Sequence, residues 1–172
     1  MNDRTTAAKI PLCSSPDIVP LNMDRIAAAV ILFVQQLTEH SIPANPANLH
    51  NILKQYLVDS RYGFVLVAER PESGLVGVAL CASFLGVEHG GPSGWLEELY
   101  VRPDSRGLGV GTLLLTHAIS EAKRRGWRAL DLEVEADHDQ VVSLYKRHGF
   151  TLKTRSRYCL KLTANQAMAP AN

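Results

Sequence analysis

The sequence predicts an α/β protein with a mixed, largely antiparallel sheet that is flanked by helices. Short β-branched and aromatic runs indicate strands, and longer runs with apolar residues three or four positions apart indicate helices. Two strand runs follow one another across a short turn, which predicts an antiparallel hairpin. With 172 residues, 46% of them hydrophobic, the chain has enough length for one full core. We therefore predict a single domain over residues 1–172, with flexible tails at 1–8 and 163–172.

The balance of charge and the apolar runs exclude several classes of partner. The chain carries 18 basic and 17 acidic side chains, so it has no general attraction to nucleic acid or to an anionic membrane. No apolar run reaches the roughly 18 residues of a membrane span. The three cysteines lack metal-ligand spacing, which predicts no metal site and a reducing, cytoplasmic setting.

The N-terminal part predicts one short strand and a first helix. Lys9–Cys13 is the candidate strand, and Ser14–Asp17 is the turn that closes it. Asp24 is a plausible N-cap for the helix, which Ser41–Pro43 ends. Residues at helical spacing form its predicted apolar face: Ile26, Ala27, Val30, Ile31, Val34 and Leu37.

A second helix and a hairpin come next. Either Asn45 or Asn48 can cap the helix. Gly63–Glu69 and Leu75–Leu85 are the two strands of the hairpin, because they are rich in β-branched residues and a Pro-Glu-Ser-Gly turn joins them. The predicted apolar face of the second helix consists of Leu49, Ile52, Leu53, Tyr56 and Leu57.

The middle of the chain predicts a central strand and a third helix. Glu88–Gly94 holds three glycines and a proline, so we expect a mobile loop before the central strand Trp95–Val101. The helix Thr112–Arg125 follows, and Leu130–Val134 alternates as a half-buried strand does. The helix is expected to bury Val110, Leu113, Leu114, Ala118 and Ala122 and to expose Glu121, Lys123, Arg124 and Arg125.

The C-terminal part predicts one more helix and a closing pair of strands. The helix covers Gln140–His148 and ends at Gly149, since glycine favours helix termination. Phe150–Lys153 and Arg157–Leu162 are the predicted strands.

The stretch Leu96–Gly111 predicts an anion site. A strand, a proline turn and a glycine-rich loop lead into a helix, and unpaired backbone N–H groups converge at such a helix start. A P-loop is excluded because no lysine precedes Thr112. A dinucleotide-binding loop is excluded because Thr112 stands where its third glycine belongs.

Two motifs carry a resemblance to a known family. Arg106-Gly-Leu-Gly-Val-Gly111 follows Leu-Tyr-Val-Arg-Pro, and Leu144-Tyr-Lys-Arg-His-Gly-Phe150 lies one helix and one strand downstream. In these motifs and their separation, the sequence resembles the N-acetyltransferases of the GNAT superfamily, nearest to the diamine and polyamine branch. The resemblance implies that family's fold, with a central strand pair that splays apart, and it allows a homodimer.

The resemblance also implies acetyl-CoA as the cosubstrate. Backbone N–H groups of the glycine loop would bind the pyrophosphate, with Arg106 adding charge. The main chain at Leu99, Tyr100 and Val101 would pair with the pantetheine arm, as an added strand does. His138 stands where family members often carry an asparagine, and an imidazole can still donate one hydrogen bond. The loop residues expected at the pyrophosphate are Gly107, Leu108, Gly109, Val110, Gly111 and Thr112.

For catalysis, the resemblance points to Glu97 and Tyr145. A lysine-like amine has a pKa of about 10.4, so it must lose a proton before it attacks the thioester. Glu97 matches the family's proposed base, and Tyr145 matches the tyrosine that protonates the departing thiolate. Strand alternation predicts that Glu98 faces away from Glu97, although Glu98 is kept as the other candidate base.

The predicted function is direct transfer of an acetyl group to a primary amine, on a small molecule, a polyamine or a peptide. The alternative is a non-catalytic acyl-CoA-binding or regulatory module, since the fold alone does not determine the function.

Overall fold

The computed structural model describes residues 14–134 and 139–162, and these two stretches belong to two separate compact units. The first unit contains a five-stranded sheet of order β1-β2-β3-β4-β5. Neighbouring strands are antiparallel, except that β5 runs parallel to β4. The predicted mixed, largely antiparallel sheet is thus confirmed. Its strands are β1 (Asp17–Pro20), β2 (Gly63–Arg70), β3 (Gly74–Gly86), β4 (Gly91–Val101) and β5 (Leu130–Leu132).

Two helices, α1 (Ile26–Glu39) and α2 (Pro46–Val58), pack on one face of the sheet. The side chain of Asn45 caps α2 by accepting from the N–H of Asn48. Asn22, and not Asp24, caps the entry to α1, because a 3₁₀ turn (Met23–Arg25) precedes this helix. The buried core on this face includes Leu21, Ile26, Ala29, Val30, Leu32, Phe33, Leu53, Val65, Val67, Val78, Leu80 and Tyr100.

The apolar faces of α1 and α2 are rotated slightly from the predicted ones. Ile31 is 59% exposed and Ile52 is 45% exposed, while Ala29 and Phe33 are buried instead. The prediction missed this because α1 carries apolar residues around most of its circumference, so that spacing alone does not select the buried stripe.

Helix α3 (Val110–Arg124) covers the other face and begins two residues earlier than predicted. Leu115 is buried there, whereas Leu113 is half-exposed. Arg125 was predicted to face water, but its Nη1 donates to the carbonyls of Ser60 and Gly63 at 3.0 and 2.9 Å. These contacts join the end of α3 to the start of β2.

The segment predicted as a mobile loop before the central strand is mostly strand. β4 begins at Gly91, which pairs with Gly86 of β3, so only a short turn separates the two strands. Gly94 is required for packing, since a Cβ on it would lie 1.9 Å from the Trp127 ring. From the sequence alone, Gly94 indicates a loop, because the sequence does not show that the Trp127 ring packs against this position.

The two ends of the chain also differ from the prediction. The predicted strand Lys9–Cys13 lies outside the described residues, and β1 takes in Asp17, which was assigned to a turn. In the second unit, α4 (Asp139–Arg147) precedes Gly149, whose φ is 87°. Residues 151–162 are exposed and form neither helix nor strand. The predicted strand pair is therefore wrong, because strand-like sequences form strands only where a neighbour supplies hydrogen bonds and packing.

Across residues 14–134 and 139–162, no helix is both long enough and apolar enough to cross a membrane.

Candidate active site

Strand β4 has one half with two strand neighbours and one half with a single neighbour. It pairs with β3 along its whole length. Its parallel pairing with β5 covers only Gly94–Leu96 opposite Leu130–Leu132. From Glu97 to Val101, β4 has no strand on its β5 side within the described chain. The predicted splay of the central strand pair is thus present, and we call Glu97–Val101 the open half of β4.

A β-bulge at Glu97 marks the start of the open half. Leu96 pairs with Cys81 and Glu98 pairs with the adjacent Leu80, so Glu97 is an extra residue in β4. An extra residue interrupts the alternation of side chains between the two faces. Glu98 consequently lies on the α1 side, where the amide of Gln36 donates a hydrogen bond to its carboxylate.

Glu97 lies toward the same pair of helices, next to Tyr56 of α2. Burial, followed by the charge of Glu97, the nearby Cys81 and a hydrogen bond with Glu97, raises the pKa of Tyr56 to about 12. The prediction that Glu97 and Glu98 face opposite sides is therefore wrong, because strand alternation does not hold across a bulge.

The two carboxylates differ in their surroundings. Glu97 is exposed, so its carboxylate is accessible to a ligand. Glu98 is half-buried, and burial raises the pKa of its carboxyl, although the hydrogen bond from Gln36 opposes that shift. Gln36 is 9% exposed, and its Oε1 has no hydrogen-bond partner among the described residues.

The glycine-rich loop after β4 adopts a backbone that requires glycine. Gly107 and Gly109 have φ values of 73° and 80°, which lie in the left-handed region. A Cβ at either position would meet no atom within 4 Å, so these glycines serve conformation rather than close packing. Residues 106–109 are exposed, which leaves the loop surface accessible to a ligand.

The loop ends at the N-terminus of α3 with no side-chain cap. Gly109 is the N-cap residue, and no side chain accepts a hydrogen bond from the first turn. The N–H groups of Val110, Gly111 and Thr112 therefore have no partner within the helix, and they lie at its positive end. This is the geometry that binds phosphate or another anion.

A buried cation lies behind this loop. Arg70, at the end of β2, is 4% exposed and donates from Nη1 to Ser105 Oγ at 3.3 Å. Its Nε lacks a hydrogen-bond partner within the described chain. Ser105 closes the 3₁₀ turn (Pro103–Ser105) that leads from β4 to the loop. The positive charge of Arg70 thus lies beneath the turn that supports the anion site.

The Arg106 side chain points back toward α1 in this structure. Its Nη2 lies 2.6 Å from Glu39 Oε2, and its Nε donates to the carbonyl of Val101 at 2.8 Å. The guanidinium carbon lies 5.4 Å from the centre of the Tyr100 ring. Arg106 therefore stands at the start of the glycine loop, and its charge is engaged with Glu39 in this structure.

The other predicted residues of β4 lie close to the loop. Tyr100 is 4% exposed and faces α1, where its hydroxyl donates to Glu39 Oε1 at 2.6 Å. Val101 faces α3, and a Cβ on Gly111 would lie 3.7 Å from its Cγ2. Leu99 is half-buried two residues before Val101. The main chain of these residues belongs to the open half, which the 3₁₀ turn Pro103–Ser105 connects to the glycine loop.

Tyr145 lies on α4 in the second unit. Burial raises the pKa of its hydroxyl, which keeps the phenol protonated near neutral pH. Its ring packs edge-on against Phe150 with 5.8 Å between ring centres. His138, the remaining predicted cofactor contact, lies outside the described residues.

Three side chains on the α1 and α2 side of β4 are not among the predicted site residues: Gln36, Glu39 and Tyr56. One signal was available: Gln36 is a polar residue in register with Ala29 and Phe33 on the buried stripe of α1. Nothing in the sequence connects Glu39 with Arg106, because 67 residues separate them.

Within residues 14–134 and 139–162, no group of three or more metal-ligating side chains comes together. Cys81 is buried in β3 opposite Leu96, and burial raises the pKa of its thiol to about 12. Little thiolate is present at that position near neutral pH, and the thiolate is the nucleophilic form.

Comparison with known proteins identifies relatives that are similar to part of this chain. The mycothiol acetyltransferase of Propionibacterium freudenreichii is 37% identical over 87 residues, which are 51% of this chain and 28% of that protein. The ribosomal protein bS18-alanine N-acetyltransferase of Escherichia coli is 39% identical over 62 residues, 36% of this chain and 42% of that protein. The chain thus spans less than half of each of these two relatives.

The fold also matches solved structures. A predicted acetyltransferase from Clostridium acetobutylicum, crystallised with acetyl-CoA, superposes with a TM-score of 0.69 at 22% identity, covering 86% of this chain and 96% of that one. A similarity at this level of identity establishes the fold. In addition, the family model described as the acetyltransferase (GNAT) family matches residues 31–150, which is more than half of the sequence. The chain belongs to the acetyltransferase (GNAT) family.

Proposed function

We propose that the protein is an N-acetyltransferase that moves the acetyl group of acetyl-CoA directly to a primary amine. One observation carries this proposal. The open half of β4, which begins at the bulged Glu97, runs into a glycine loop at the uncapped start of α3. An extended cofactor arm and its pyrophosphate require these two features side by side.

In this proposal, the loop and the open half bind the cofactor through their main chain. N–H groups of residues 107–112 bind the pyrophosphate, and the positive end of α3 favours its charge. The main chain at Leu99, Tyr100 and Val101 pairs with the pantetheine arm. Buried Arg70 adds positive potential behind the loop. His138 completes the proposed set of cofactor contacts.

The reaction needs three proton movements. Glu97 takes a proton from the ammonium, directly or through a water molecule, because only the free amine attacks a thioester. The new N–C bond forms as an N–H group of β4 near Leu99 stabilises the oxyanion. The C–S bond then breaks as Tyr145 gives its proton to the thiolate, and the surplus proton on the new amide nitrogen passes through water to restore the Tyr145 phenol. Because burial raises the pKa of Tyr145, this hydroxyl remains protonated until that step.

Direct transfer is favoured over a covalent acyl-enzyme by the chemistry of Cys81. This thiol lies on β3 opposite the start of the open half of β4, but its pKa of about 12 leaves it protonated. The exposed carboxylate of Glu97 is better suited to activate an external amine.

The acceptor class follows from the same site. A carboxylate base suits a substrate that arrives as an ammonium ion, and the α1 and α2 side of β4 adds the acidic Glu98. Small-molecule amines and peptide amines both meet these requirements. The two relatives compared above bear the names of a mycothiol enzyme and a protein-alanine enzyme, so both kinds of acceptor belong in the test.

The test is CoA release from acetyl-CoA across a panel of small amines, polyamines and peptides with free N-termini or lysines. We expect turnover with at least one class, and large losses in Glu97→Gln and Tyr145→Phe. Turnover that survives both substitutions would reject these catalytic assignments. Binding of acetyl-CoA without turnover on any amine would instead support a non-catalytic module. Light scattering of the purified chain separately tests the homodimer that the resemblance allows.

A further inference from the structure

Three side chains from distant parts of the first unit meet where β4 ends. Glu39 is the last residue of α1, Tyr100 lies in the open half of β4, and Arg106 begins the glycine loop. The Glu39 carboxylate accepts from Tyr100 at one oxygen and from Arg106 at the other, both at 2.6 Å. The Arg106 guanidinium lies over the Tyr100 ring, so each of the three residues contacts the other two.

The charge states stabilise this triad at neutral pH. The hydrogen bond from Tyr100, followed by that from Arg106, lowers the pKa of Glu39, so its carboxylate is ionised. Burial, followed by Glu39, raises the pKa of Tyr100 to about 12, so the phenol keeps its proton. A neutral donor and a cation therefore share one anion, and each hydrogen bond to it is charge-assisted.

The triad restrains the loop at its first residue. Gly107 and Gly109 give the loop little conformational restraint of their own, because glycine populates many backbone conformations. Arg106 is held at two points, by Glu39 through Nη2 and by the Val101 carbonyl through Nε. Glu39, which belongs to neither the loop nor β4, thus holds the first side chain of the loop beside the open half of β4.

We propose that Glu39 is a positioning residue, which holds Arg106 on Tyr100 and thereby places the glycine loop for an acyl-CoA pyrophosphate. In this role, Arg106 acts mainly through Glu39, as an internal anchor of the loop. The inference rests on the proposed function only in naming the ligand of that loop.

The variants Glu39→Gln, Arg106→Gln and their combination test this role, and Glu69→Gln is the matched control. Glu69 forms another 2.6 Å ion pair in the same unit, with Arg25. We expect each single triad variant to weaken CoA binding in calorimetry by about tenfold, because a displaced binding group loses its orientation. The double variant should be no weaker than either single variant, since both remove the same anchor.

Kinetics and NMR relaxation provide further readouts. In Glu39→Gln, KM for acetyl-CoA should rise by about tenfold, with kcat at saturation within about twofold of wild type. Backbone order parameters at residues 107–110 should fall in ligand-free Glu39→Gln and stay unchanged in Glu69→Gln. An unfolding midpoint close to that of wild type excludes a general loss of structure.

Opposite results would overturn the inference. If Arg106 bound a phosphate in competition with Glu39, Glu39→Gln would bind CoA more tightly and Arg106→Gln more weakly. Additive losses in the double variant, or unchanged loop order parameters in Glu39→Gln, would also reject the positioning role. A wild-type protein that binds no CoA would contradict the proposed function, whereas the relaxation experiment in the ligand-free protein judges Glu39 independently.

Discussion

Both halves of β4 have β3 as their neighbour on one side, but only one half has β5 on the other side. From Gly94 to Leu96 the strand has β3 and β5 as partners, and the Trp127 ring packs against Gly94. From Glu97 to Val101 it keeps β3 alone, and it carries the bulge and both glutamates. We call Gly94–Leu96 the closed half of β4. Its residues serve packing, whereas the open half presents main-chain groups and carboxylates.

This difference shows how one strand supplies both stability and a binding site. Unpaired main-chain groups in the closed half would cost stability, because buried N–H and C=O groups need partners. In the open half, the same unpaired groups are available to a ligand that pairs as a strand does. The bulge at Glu97 marks the boundary between the part of β4 that is paired on both sides and the part that is paired on one side.

Glu97→Gln should produce the largest effect, and it acts in the open half alone. We expect kcat to fall about 100-fold or more, because the amide cannot accept the amine proton. The unfolding midpoint should shift little, since Glu97 is exposed. Steady-state assays with a saturating amine measure the loss. Glu98→Gln is the neighbour control, and a larger loss there than in Glu97→Gln would assign the base to Glu98.

Gly94→Ala should disrupt the closed half alone. The added Cβ would lie 1.9 Å from the Trp127 ring, and the repacking should cost about 1–3 kcal/mol. Thermal unfolding should show the loss, while the folded protein still binds acetyl-CoA with unchanged affinity. The Trp127→Ala background is the control, because without the ring the added Cβ has no clash, so the loss caused by Gly94→Ala should shrink there. An equal loss in both backgrounds would contradict the packing role of Gly94.

Gly109→Ala should weaken the anion site at the end of the open half. Its φ of 80° is unfavourable for alanine by about 1–2 kcal/mol, and relief of that strain should shift the loop. We expect the Kd for acetyl-CoA in calorimetry to rise by about tenfold, because the loop N–H groups lose their alignment. Gly126→Ala, at the far end of α3 with a φ of 73°, carries the same strain and should leave the Kd unchanged. An equal rise of the Kd in both variants would show that the loop is not part of the binding site.

Glu98→Gln should have the smallest effect, and its sign depends on pH. Burial raises the folded-state pKa of Glu98 above 4.5, so the folded state binds its proton more tightly than the unfolded chain. The wild type therefore loses stability as the pH rises from about 4.5 through the raised pKa of Glu98. The glutamine variant lacks this penalty, and its midpoint at pH 7 should exceed that of wild type by about 1–3 °C. The difference should vanish near pH 4, and a variant less stable than wild type at pH 7 would contradict the account.

Much of this arrangement could be predicted from local sequence signals. β2 and β3 are rich in β-branched residues, and the glycine loop and α3 follow from residues 106–125 alone. The splay was expected because the motifs resemble a family that has it. In each case the determining residues are close together in the chain.

The features that the sequence did not predict depend on contacts between residues that are far apart in the chain. The bulge at Glu97 leaves no mark in the sequence, because an extra strand residue is detectable only from its partner, here Leu80 and Cys81. The strand character of Gly91–Gly94 depends on Trp127 and β3. The bond between Glu39 and Arg106 joins elements 67 residues apart.

The central claim is that the open half of β4 and the glycine loop together bind the cofactor. Residue-resolved amide hydrogen exchange, measured with and without acetyl-CoA, tests it most directly. We predict slower exchange at residues 99–101 and 107–112 in the complex, and no change at residues 94–96, which are already paired with β5. If acetyl-CoA binds and residues 107–112 exchange as fast as before, the cofactor lies elsewhere and the account is wrong.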